Sequence, residues 1–125
     1  MPELVSQILS IIENGSLAAS FANLDCNAAL DARDHNRDFE TSWCRLLEEV
    51  ERRWQIIDLP QHLRNQVEAV RQRSFYAVSR VTGQHEIASY VSDDLELIAR
   101  AHLLLLDSPL LKELWDAYHR GTFPH

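Results

Sequence analysis

The sequence predicts an all-α protein, a single compact but irregular bundle of about five to seven helices spanning residues 1–125. Apolar residues recur at steps of three and four along most of the chain, as on the buried face of a helix. The chain has only three glycines and four prolines, too few for the closely spaced turns of a β-sandwich or barrel. Its apolar fraction of 46% is sufficient for one hydrophobic core.

The first part of the chain predicts two short helices and a polar segment. Residues 4–12 carry apolar side chains at helical spacing, and Asn14 and Gly15 supply a stop signal. Ser16 can cap a short second helix. Residues 26–37 are polar apart from a few small or apolar positions, which predicts a weak helix or an ordered loop.

The clearest helix follows at residues 39–57. Its opposite face carries acids and bases four residues apart, as in Glu48 and Arg52, which indicates a solvent-exposed face. The apolar positions form one continuous stripe: Phe39, Trp43, Leu46, Leu47, Val50, Trp54 and Ile57.

The second half predicts three further helices. Pro60 suits the start of a helix that ends at Gly83, and residues 85–92 fit neither a helical nor an extended period well. Asp93 is predicted to start the next helix, with Glu96 three residues later. A final helix starts at Ser108-Pro109 and is predicted to form a tight, largely buried hairpin with the helix before it.

Several features predict a cytoplasmic protein without a membrane span. Two cysteines, Cys26 and Cys44, are too few for a disulfide framework, and Cys44 is expected to be a packed, inert thiol. The N-terminus has no basic segment before its apolar stretch, so no signal peptide is expected. The longest apolar run, residues 103–106, is far shorter than the ~20 residues that cross a bilayer.

The net charge of −7 argues against nucleic-acid binding, which depends on Lys and Arg contacts with phosphates. Residues 61–84 are the exception, with four arginines and one glutamate. This basic segment is expected to pair with the acidic parts of its own fold, and an anionic partner is the alternative.

Two acidic groups are candidates for a calcium site. On a helix, Asp31, Asp34 and Asp38 would share one face with His35, and Glu40 lies close by. A bound cation would relieve their repulsion, but interleaved arginines could do so too, and Asp34 or Asp38 could instead cap the long helix. The alternating acids of an EF-hand are missing.

The second acidic group consists of His85, Glu86, Asp93, Asp94 and Glu96, and its acids could supply further ligands if it meets the first group in space. The helix dipole alone would also explain acids at a helix start. The candidate metal ligands are therefore Asp31, Asp34, Asp38, Glu40, Asp93, Asp94 and Glu96.

The sequence contains no identified catalytic motif. The six histidines are dispersed, no nucleophile elbow is present, and the three glycines are isolated, so no phosphate-binding loop is expected. Trp43, Trp54 and Trp115 lie at apolar helical positions and are expected in the core, although an exposed tryptophan would mark a partner surface.

We therefore expect a small, acidic, non-enzymatic regulatory or adaptor protein that binds another protein and needs no cofactor. A homo-oligomer is compatible with this expectation. The alternative hypothesis is a calcium-binding protein that uses the acidic clusters.

Overall fold

The computed structural model describes residues 3–125, which form seven α-helices and no strand, and this confirms the all-α prediction. Met1 and Pro2, the start of the segment considered as a signal peptide, lie outside the described residues. The helices are α1 (Glu3–Glu13), α2 (Ser16–Phe21), α3 (Cys26–His35), α4 (Arg37–Trp54), α5 (Gln61–Thr82), α6 (His85–Leu103) and α7 (Pro109–Arg120).

Polar caps explain where the middle helices begin. The Asp25 side chain accepts a hydrogen bond from the backbone N–H of Ala28 and starts α3, so the polar segment is a helix rather than a loop. The Asn36 side chain accepts from the N–H of Phe39 and starts α4. The cap of α4 is therefore Asn36, and not Asp34 or Asp38 as the sequence suggested.

Helix α6 is the central helix, with α1, α4, α5 and α7 packed against it. It follows α5 through a tight turn at Gly83, whose φ of 70° is readily accessible to glycine. The prediction that this helix starts at Asp93 was wrong, because α6 already begins at His85. Its first two turns bury Ile87, Ala88 and Val91 completely. Gln84, which precedes the helix, forms no side-chain cap hydrogen bond, so the sequence carries no capping signal at the true start.

Outer helices complete the bundle around this centre. Helices α1 and α2 pack on α5 and on each other, and α3 packs on α4. Helix α7 starts at the Ser108 side chain, which accepts a hydrogen bond from the N–H of Leu111, and it packs on α6 as predicted.

The turn between α6 and α7 differs from the prediction of a largely buried hairpin. Leu105 has a positive φ of 60° and is 84% exposed. Leu103, Leu104 and Leu106 are only partly buried, although they pack against the core. Trp43, Trp54 and Trp115 also pack against the core with part of each side chain accessible to solvent. None of the helices within residues 3–125 is long and apolar enough to cross a membrane.

Candidate functional site

A buried carboxylate on α6 joins three other parts of the chain. Asp94 is 0% exposed and both of its oxygens lie 2.6 Å from the guanidinium of Arg33 on α3. The indole N–H of Trp43 on α4 donates to the same carboxylate at 2.9 Å, and the hydroxyl of Tyr118 on α7 donates to it at 2.5 Å. Asp94 therefore connects α3, α4 and α7 to the central helix.

Aromatic rings enclose the guanidinium of Arg33. Its central carbon lies 4.8 Å from the ring centre of Phe39 and 5.1 Å from those of Tyr90 and Phe123. A cation over an aromatic face is attracted by the ring quadrupole. Burial alone lowers the pKa of Arg33, but hydrogen bonding and charge attraction from Asp94 outweigh it and raise the pKa. Arg33 thus stays charged.

Tyr118 also keeps one protonation state. Burial, together with the negative charge of Asp94, raises the pKa of Tyr118 well above its ordinary value. The hydroxyl therefore remains a hydrogen-bond donor to Asp94 at neutral pH. The charges of Arg33 and Asp94 compensate each other, so this network stabilises the arrangement of the helices without adding net charge to the surface.

An open cavity of about 200 Å³ lies in front of this network. Three aromatic residues, Phe39, Trp43 and Tyr90, form much of its wall. Three carboxylates also line it: Asp34 from α3, Glu40 from α4 and Asp93 from α6. Arg33 and the thiol-bearing Cys44 complete the lining. Aromatic and acidic side chains from three helices therefore converge on one concave surface.

A second open cavity, of about 530 Å³, continues from the first, and the two share Trp43 and Asp93. It lies between α4, α5 and α6. We call the two cavities together the acidic cleft. The other residues that line the second cavity are Leu47, Glu51, Glu68, Arg71, Glu96, Leu97 and Arg100.

Two arginines neutralise part of the acidic cleft. Arg71 lies 2.7 Å from a carboxylate oxygen of Asp93 and 3.1 Å from one of Glu96. The hydrogen bond to Asp93 is the main reason that the pKa of Arg71 is raised. Arg100 lies 3.3 Å from Glu96. The basic segment of the sequence thus pairs, through Arg71, with an acidic part of its own fold.

Other carboxylates of the acidic cleft keep their charge unpaired. Within residues 3–125, the side chains of Glu40 and Glu51 form no ion pair, and Asp34 accepts a hydrogen bond of 2.7 Å from the neutral hydroxyl of Tyr90. The cleft is therefore net negative and would attract a basic partner.

The structure brings together only some of the predicted metal ligands. Asp34, Glu40 and Asp93 line the first cavity, whereas Asp31 and Asp38 line neither cavity of the cleft. In the part of the chain that the structure describes, no three His, Cys, Asp or Glu side chains are grouped so that they could hold a metal ion.

Asp94 is the clearest correction to the predicted ligand set. Its two oxygens already accept hydrogen bonds from Arg33, Trp43 and Tyr118, so it is not a free ligand. Cys44 is a second correction, because it is exposed rather than packed.

Sequence reasoning missed the residues that organise this site. Arg33 was considered only as a neutraliser of nearby acids, and Trp43 only as a core residue. The sequence also did not predict that Tyr90 and Tyr118 donate hydrogen bonds to carboxylates. Two arginines, Arg33 and Arg37, interleave with the acidic run, and the local pattern does not show that Arg33 is the buried one.

The family model for immunity protein PIM1 matches residues 7–125 of the chain. A search of curated proteins found no match.

Proposed function

Because the chain belongs to the PIM1 immunity protein family, we propose that it binds a toxin protein and blocks the toxin's activity. The observation that carries this proposal is the extent of the match, which starts within α1 and includes all later helices. An immunity protein protects a cell from a toxin, and a chain that binds the toxin can provide such protection stoichiometrically.

We assign toxin binding to the acidic cleft on the basis of shape and charge. The cleft is concave and contains Trp43, a residue type that often anchors protein interfaces. Its unpaired carboxylates add to a chain with a net charge of −7. Complementary charge steers partners together and increases the association rate, which suits a protein that must intercept a toxin quickly.

The buried network supports this assignment because it holds the cleft in shape before a partner arrives. Arg33 and Trp43, which line the first cavity, are held by the buried Asp94, and Asp93, the neighbour of Asp94 in α6, lines both cavities. A site whose walls are fixed in advance loses less conformational entropy on binding.

Two exposed apolar residues define the main alternative surface. Ile56, just after α4, is 80% exposed, and Leu105, just after α6, is 84% exposed. Trp54 and Arg100, near the ends of the same two helices, stack on each other, so both loops lie at one end of the bundle. Single exposed apolar residues are common on protein surfaces, however, and we therefore favour the acidic cleft.

The proposal is tested by expressing each protein encoded next to this chain, alone and together with it. We expect one neighbour to stop the growth of the host when expressed alone, and growth to return on co-expression. The two proteins should also co-purify in a fixed ratio. The proposal fails if no neighbour is toxic, or if co-expression leaves the toxicity unchanged.

A non-enzymatic mode of action in the cytoplasm remains our prediction, and it agrees with inhibition by binding alone. Calcium binding remains the untested alternative hypothesis, and a homo-oligomer remains compatible with the proposal. A regulatory or adaptor role beyond toxin binding has no specific support.

A further inference from the structure

The first cavity of the acidic cleft has a chemistry that selects one kind of side chain. Phe39, Trp43 and Tyr90 offer aromatic surface, and Glu40 offers a carboxylate that forms no ion pair within residues 3–125. Aromatic surface beside a carboxylate suits a delocalised cation, which can stack on a ring and form charge-assisted hydrogen bonds at once.

The arginines that lie near the first cavity do not pair with Glu40, so its carboxylate remains available to a partner. Arg33 lies at the inner side of the cavity, but its guanidinium is paired with the buried Asp94. Arg71 pairs with Asp93 from the side of the second cavity. The charges of Asp34 and Glu40 are compensated by neither arginine, and both residues are exposed to solvent.

We propose that the first cavity receives an arginine side chain of the toxin, which stacks on the aromatic wall and pairs with Glu40 and Asp34. This inference rests on the proposed function and adds the chemistry by which the partner is recognised. Arginine fits better than lysine, because its planar fork can form two parallel hydrogen bonds to a carboxylate while its face contacts a ring.

The size of the cavity agrees with this occupant. A cavity of about 150 Å³ can hold a benzene molecule, and a guanidinium with its adjoining methylene groups is of comparable size. The observed volume of about 200 Å³ therefore accommodates the end of an arginine side chain.

Other occupants fit the lining less well. An acidic side chain would be repelled by Asp34, Glu40 and Asp93. An apolar side chain would remove these carboxylates from water without offering them a hydrogen bond, which is unfavourable. A basic side chain is the occupant that compensates the charge it buries.

The first test compares two glutamates of α4. Glu40→Gln removes the charge at the cavity, whereas Glu48→Gln removes the same charge from an exposed position that lines neither cavity of the cleft. The dissociation constant is measured by calorimetry with the toxin that co-purifies with the chain. We expect Glu40→Gln to weaken binding at least tenfold and Glu48→Gln to weaken it less than twofold.

The second test identifies the partner side chain through a double-mutant cycle. Each arginine of the toxin that lies in its interface is replaced by glutamine and measured against the wild-type chain and Glu40→Gln. We expect one arginine whose replacement weakens binding to the wild-type chain at least tenfold but weakens binding to Glu40→Gln much less. Replacing that arginine by lysine should restore only part of the affinity.

Melting temperatures of both glutamate variants control for folding, because Glu40 lies in the first turn of α4. A correctly folded Glu40→Gln that binds as tightly as Glu48→Gln would overturn the arginine proposal, and so would a cycle in which no arginine couples to Glu40. Both results would leave the proposed function intact if the wild-type chain still neutralises the toxin. A wild-type chain that binds no toxin would instead refute the proposed function.

Discussion

Arg33 on α3 and Asp94 on α6 are 61 residues apart in the chain, yet both terminal nitrogens of the arginine lie 2.6 Å from the two carboxylate oxygens. Both residues are buried, and Trp43 and Tyr118 donate further hydrogen bonds to Asp94. This pair holds α3 against the central helix and thereby positions the inner wall of the acidic cleft.

Replacing Asp94 by asparagine should strongly destabilise the protein. The neutral amide leaves the guanidinium of Arg33 buried without its counter-charge, which costs about 3–5 kcal/mol in comparable buried pairs. The free energy of unfolding is measured by urea denaturation of the wild type and the variant.

Asp93→Asn is the matched control for this change. Asp93 also pairs with an arginine, Arg71, but its side chain is 43% exposed, and such surface pairs contribute about 0–1 kcal/mol. Equal destabilisation by the two substitutions would show that the buried pair has no special role.

The stability of the protein should decrease at alkaline pH. The hydrogen bond that Tyr90 donates to Asp34, assisted by burial, raises the pKa of Tyr90 to about 12. In the unfolded chain a tyrosine loses its proton near pH 10. The stabilisation that the folded protein gains from protonated Tyr90 is therefore fully present below about pH 10, and it is lost as the pH rises towards 12.

Urea unfolding at a series of pH values between about 8 and 12 measures this effect. The decrease should be smaller in Tyr90→Phe, which has no proton to lose at this position, and in Asp34→Asn, which lacks the charged acceptor. An identical pH profile in all three proteins would contradict the role of this hydrogen bond.

Calcium should not raise the melting temperature. Asp94 is occupied by Arg33, and Asp93 and Glu96 are paired with Arg71, so these acids of the predicted site are already engaged. A ligand present at 100 times its dissociation constant would stabilise the folded state by about 2.7 kcal/mol, which a thermal melt detects readily. A calcium-dependent rise that disappears in Asp38→Asn would support the calcium hypothesis instead.

The two cysteines should differ in their reaction with iodoacetamide. Cys44 is exposed and lines the first cavity. Cys26 is buried, and burial together with the charge of Asp25 raises its pKa, which lowers the fraction of reactive thiolate. Mass spectrometry of the free protein should show rapid modification of Cys44 and slow modification of Cys26. Equal modification rates for the two cysteines would contradict the burial of Cys26 and the exposure of Cys44.

Local sequence patterns predicted the surface helices well. The apolar stripe from Phe39 to Trp54 and the stop signal at Gly83 correspond to the observed α4 and α5. The start of α6 was missed because Gln84, at its cap position, forms no side-chain cap hydrogen bond, and because the buried face of the helix also contains the polar residues Ser92 and Asp94.

The candidate site was much harder to predict. Asp94 has the same local pattern as its neighbour Asp93, a carboxylate near other acids, and only tertiary packing makes one buried and the other partly exposed. The partner of Asp94, Arg33, lies in another helix, and no local period connects the two positions. Sequence alone could therefore identify the acids near the cleft but not the network beneath them.

The reactivity of Cys44 in the complex with the toxin tests the proposed binding surface most directly. If the toxin covers the acidic cleft, alkylation of Cys44 should be at least tenfold slower in the purified complex than in the free chain. A cysteine introduced at Ile56 in a Cys44→Ser background should react at the same rate in both states. Unchanged alkylation of Cys44 in a stoichiometric complex, with protection at position 56, would place the toxin on the apolar end of the bundle and contradict binding through the cleft.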